Sequence, residues 1–191
     1  MIGIPLGWVY SNFGEWVLHR SVLHGLGKNR KSFWSFHWHE HHQKSRRNEM
    51  VDDQYMRSLW TWSAQTKELV GLAALALAHA PLLPVAPFFV GTVWACAANY
   101  YFVHRRAHLD PKWAREHLPW HYDHHMGRDQ NANWCVTHPF FDLVMGTRRE
   151  FLNVQPPASG QPAPVPVEAR KPAAASGRRS PRLRPQNTRS K

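Results

Sequence analysis

In the stretch Trp120-His121-Tyr122-Asp123-His124-His125, three histidines stand at i, i+3 and i+4. On a helix this spacing sets the imidazoles on one face, within reach of a common centre. Neutral imidazole is a common ligand of transition metals, so the pattern points to metal chemistry. Pro119 biases Leu118 out of helix and suits a first helical turn, which predicts a helix start just ahead of the triad. Upstream, His104 and His108 form an i, i+4 pair, and His37, His39, His41 and His42 crowd into one polar segment. His37 and His41 share one helical face there, and His39 and His42 another. His19 and His24 are five apart, about 140° around an ideal helix, so this pair meets only at a helix end or a local distortion.

An exposed basic helix that happens to be rich in histidine accounts for the segment around His37 taken alone. It does not account for four clusters in a chain with 14 histidines. Cys96 and Cys135 are isolated from each other, which implies neither a disulfide framework nor a thiolate zinc site. Many imidazoles with few carboxylates among them suit zinc, iron, copper or nickel. Ten rings, His19, His24, His37, His41, His42, His104, His108, His121, His124 and His125, exceed what one ion can take. Two ions is the economical count.

The elements that must carry these clusters are helices. Residues 1–18 are aromatic and apolar, about long enough to cross or half-cross a bilayer, and carry no basic leader expected of a cleaved signal. Gly25 and Gly27 are expected to end this helix. From Leu69 to Val103 no residue is charged, and Pro81, Pro84 and Pro87 break the run into a hairpin, roughly Thr66 to Ala80 and Pro87 to Val103. Flanking Trp60, Trp62, Trp94, Tyr100 and Tyr101 fit an interfacial belt. A shallow re-entrant pair is the alternative to full crossing. Asp110-Pro111 reads as a cap and first turn, and residues 128–149 as a turn-rich loop with a short helix ending at Gly146.

From Gln155 on the chain is rich in Pro, Ala, Ser and Arg and lacks Phe, Trp, Tyr and Ile, so residues 151–191 are expected to be a disordered tail behind a domain at 1–150. The tail holds eight Lys and Arg against one Glu, hence seven of the formal net charge of +11. Such a tail contacts phosphate without sequence preference; anionic lipid head groups are its expected partner, and no specific nucleic acid. Lys28, Arg30, Lys31, Lys44, Arg46 and Arg47 follow the first apolar segment, and Arg105, Arg106, Lys112 and Arg115 the hairpin, so an even number of crossings separates the two groups. The positive-inside rule puts both, with every histidine cluster, on the cytoplasmic side of an integral membrane protein. The expected fold is all-α: membrane-embedded helices under a cytoplasmic helical cap that carries a histidine-rich dimetal site.

His19-x4-His24, the WSFH…HH box from Trp34 to His42, His104-x3-His108 and His121-x2-His124-His125 together resemble the successive histidine boxes of the membrane fatty acid hydroxylase and sterol desaturase superfamily. Asn133-Trp134 and the later Phe141-Asp142…Gly146-Thr147 are similar to that family's ending. The likeness runs from Glu15 to Arg148 and has one departure: the second box is usually His-x-x-His-His, and the matching first position is Trp38. His37 is the expected ligand there, with His39 in reserve. The resemblance implies a non-haem centre of two iron ions, with zinc as a substitute, that activates O2 and hydroxylates or desaturates a lipid C–H bond. No catalytic group beyond the ligands is implied. Glu15 and Asp123 are candidates for orienting imidazoles. No flavin, haem or nicotinamide signature is present, so electrons must come from an external donor of the ferredoxin or cytochrome b5 type. A carotenoid ring hydroxylase is the nearest alternative. A histidine-rich zinc or nickel protein without redox chemistry is the alternative from another class.

Overall fold

The structure, a computed structural model, describes residues 1–151, and every element in them is helical, as the sequence leads one to expect. From residue 152 on, the expected tail lies outside the described residues. Helix α1 (Gly3–Val17) runs without a break into a π-helical segment, Leu18–Leu26. A second π-helical turn, His37–His42, leads into α2 (Gln43–Arg47). The hairpin follows as α3 (Ala64–His79) and α4 (Pro87–Leu109), then α5 (Pro111–His117), α6 (Pro119–Met126) and α7 (Phe140–Val144).

Local chemistry sets most of these ends. Ser63 accepts from Thr66 N ahead of α3, Asp110 accepts from Trp113 N ahead of α5, and Pro87, Pro111 and Pro119 occupy first turns, where a missing N–H is harmless. Gly146, at φ +65°, closes α7: Thr147 N donates to Asp142 O at 2.8 Å and Gly146 N to Leu143 O at 3.3 Å. The hairpin is antiparallel, tied near its turn by Trp94 Nε1 on Ala76 O and at its open end by Gln65 and Tyr101, both at 3.0 Å. Helix α1 lies against α4 at close range. A Cβ at Gly3 or Gly7 would come within 2.8 Å of Phe89 N or Thr92 Cβ, so small residues four apart let the two backbones approach.

Beside small apolar clusters such as Met50, Ala107, Ala114 and Leu118, the interior is rich in imidazoles. Ile4, Leu77, Phe88 and Phe102 are 48–72% exposed on the outer faces of α1, α3 and α4, while all ten histidines named above are buried. No helix among the described residues is long and apolar enough to cross a membrane. At about 1.5 Å per residue the 16 residues of α3 rise about 24 Å, short of a hydrocarbon core of about 30 Å. Helix α4 is longer, but its last turns carry Arg105, Arg106 and two histidines.

Candidate metal centre

The π-helical segments supply the distortion that His19 and His24 required. Hydrogen bonds from i to i+5 close each π turn, so residues five apart lie on one face. His19 and His24 sit in the first segment; His37 and His42, also five apart, sit in the second. The extra residue of the second box is thereby absorbed: His37 and His42 meet at Nε2···Nε2 3.1 Å, while His41 turns to the other side. His39 is brought to neither group and contacts Lys28 O.

Nine imidazoles fall into two groups, each with its nearest nitrogens within 4.8 Å of one another: His19, His24, His37, His42 and His124; and His41, His104, His108 and His125. His121, the tenth, stands beside the second group, with Nε2 3.3 Å from His108 Nε2. The groups adjoin through His42 and His125, whose rings stack at 4.2 Å.

In the group of five, His19 Nδ1 donates to Trp134 O and His124 Nδ1 to Ala132 O, both at 2.6 Å. A carbonyl only accepts, so these Nδ1 atoms carry the protons and each Nε2 is left as a lone pair. Nonetheless His19 Nε2 lies 3.0 Å from His37 Nε2, and His42 Nε2 has the Nε2 atoms of His24, His37 and His124 at 3.1–3.2 Å. One N–H satisfies one such contact, not three. Imidazole donors about 2.1 Å from an ion stand about 3.0 Å apart at right angles and about 3.4 Å apart in a tetrahedron. The observed spacing of 3.0–3.2 Å lies within that range, so these donors suit a place around one cation.

In the group of four, carboxylates join the carbonyls. His41 Nδ1 donates to Asp52 Oδ2 at 2.9 Å, His104 Nδ1 to Glu68 Oε2 at 2.8 Å, and His108 Nδ1 to Met50 O at 2.8 Å. Tyr55 OH donates to the same Glu68 oxygen. The Nε2 atoms of His41, His104 and His125 are buried without any hydrogen-bond partner, which suits ligands facing an ion. Burial, then repulsion among the rings, holds His19, His37, His42, His108, His121 and His125 well below the usual histidine range, and burial takes His124 to about 4. At neutral pH these rings are uncharged donors.

The sequence did not point to Asp52, Glu68, Tyr55 or the three carbonyls. It did mark the closing motif, whose role is now visible: Asp142 accepts from Trp134 N and Cys135 N at 2.8 Å and from Thr147 Oγ1 at 2.7 Å, clamping the loop whose carbonyls hold His19 and His124. Glu15 holds no imidazole, contrary to expectation. It accepts from Val136 N and Thr137 N at 3.0 Å and ties α1 to that loop. Asp123 is buried and paired with Arg148 at 3.1 Å.

A cavity of about 530 Å³ reaches the group of five at His19 and His37. Its walls are mostly apolar, from Phe13 and Gly14 on α1, Gly71 and Leu75 on α3, and Val93 and Ala97 on α4. A model of a family described as fatty acid hydroxylase matches residues 4–147. No curated protein and no solved structure gives a match.

Proposed function

The chain belongs to the fatty acid hydroxylase family, and from that premise we propose that it uses O2 to hydroxylate an unactivated C–H bond of a lipid, at two iron ions held by the ten buried histidines. The observation that carries this reading is the pair of adjoining imidazole groups, one of which opens on an apolar cavity. Iron, when bound, supplies the change of oxidation state that O2 cleavage needs and zinc lacks.

The chain's own residues do the rest. Asp52, Glu68 and the carbonyls of Met50, Ala132 and Trp134 fix which nitrogen of each ring faces inward. The cavity wall keeps water from the C–H bond and holds the chain against His19 and His37. The exposed apolar faces of α1, α3 and α4 suit a lipid surface, with the basic residues turned to the cytoplasm and to an external ferredoxin- or cytochrome b5-type donor. Anaerobic purification with metal analysis, followed by O2-dependent product formation from lipid extracts, tests the proposal. Two iron per chain and a hydroxylated product are expected; tightly held zinc with no O2 uptake would instead support the non-redox metal protein.

A further inference from the structure

The cavity at His19 and His37 has a one-sided charge as well as an apolar wall. Two carboxylates, Glu15 and Glu68, stand in its wall, and among the described residues no Lys or Arg lines it. Glu68 Oε1 has no hydrogen-bond partner. An anionic head group drawn along this wall would lose its hydration and meet like charge before it reached the histidines, with no Lys or Arg side chain on the way to replace the lost water. A hydrocarbon segment gains from the same burial. The mouth is apolar too, since Tyr10, Phe13 and Leu18 both line the cavity and stand 41–45% exposed.

We infer that the lipid enters hydrocarbon end first and leaves any charged head group outside, so that the carbon presented to His19 and His37 lies remote from that head group. The inference rests on the oxygenase reading only for calling the occupant a substrate; the binding itself does not require iron. Gly14 lines the cavity. A Cβ there meets nothing within 4 Å, so a larger side chain is accommodated by the backbone and fills the cavity instead. On α3, a Cβ at Gly71 would sit 3.4 Å from the ring of Trp34, another lining residue.

Trp34 is thus a reporter inside the site. The full chain in neutral detergent, with the Trp34 signal isolated by difference from Trp34→Phe, is titrated with three bromine quenchers at pH 8: hexadecanoate brominated at its terminal carbon, hexadecanoate brominated beside the carboxylate, and bromohexadecane. The terminally brominated acid and the alkane should quench Trp34, and the acid brominated beside its carboxylate at least tenfold less. Gly14→Leu should remove quenching by all three and leave metal content unchanged. Equal or stronger quenching by the acid brominated beside its carboxylate overturns the inference. So does quenching by none of the three in the unsubstituted chain, or quenching undiminished by Gly14→Leu. Iron content and oxygenated product test the oxygenase reading separately, and either result can fail without the other.

Discussion

The two histidine groups use one kind of side chain and hold it in different ways. The orienting hydrogen bonds found in the group of five come from neutral partners, the main-chain carbonyls of Ala132 and Trp134 and the Gln130 amide, 2.8 Å from His42 Nδ1. In the group of four, Asp52 and Glu68 do that work at His41 and His104. Although burial raises it, the hydrogen bond from His41 holds Asp52 below the usual carboxylate range, so an anion stands behind the ring. Either partner fixes the ring's orientation and raises its basicity, and an anion does the second more strongly than a neutral carbonyl. The group that opens on the cavity is therefore the one held by neutral groups, and the enclosed group is the one reinforced by charge.

The hardest blow to this division falls on two neighbouring residues. His41 and His42 belong to different groups. His41→Ala and His42→Ala should each cost one of two ions per chain and the double variant both, by metal analysis. Loss of both ions from either single variant would merge the groups into one.

Acid comes next. In the metal-free chain His124 titrates at about 4, against about 6.5 when unfolded. Between those values the unfolded chain binds the proton and the folded chain does not. Stability from this ring is thus complete above about pH 6.5 and is lost on acidification down to about 4, by about 1.4 kcal/mol per pH unit. Denaturant midpoints of the metal-free protein should fall across that range more steeply than this one ring requires, since the other buried rings held below the histidine range add to it; a flat profile would mean the rings are not dry.

The carboxylates give a smaller and more selective effect. Asp52→Asn and Glu68→Gln should weaken one ion by about 10–100-fold in chelator competition and leave the other unchanged. Equal weakening of both ions would show that the charge is shared across the groups. The smallest effect sharpens the comparison from outside it. Asp110→Ala removes the cap on Trp113 N, and should lower unfolding stability by about 1 kcal/mol with both ions retained.

Much of the fold was readable because its signals are local. Asp110-Pro111 and Pro119 announced helix starts, the prolines after α3 announced the hairpin turn, and the i, i+4 pair at His104 and His108 needed only a regular helix. The supports of the site were not readable. A carbonyl such as Trp134 O has no residue type to betray it, and Glu68 looks like any helical acid until α4 brings His104, 36 residues away, against it. Glu15 misled for the same reason: its place one turn before His19 suggested a contact that the fold spends on Val136 and Thr137 instead.

What this sequence determined by itself was the residue type that fills the candidate site, the approximate number of histidines in it and the helical class, since each follows from side-chain chemistry and short-range periodicity. Only the tertiary structure decided how the donors divide. His19 meets His24, and His37 meets His42, through π turns that local propensity does not request. Nitrogens five apart on a regular helix point away from each other, and the wider turn brings them to one face, where rings from the other helices pack against them.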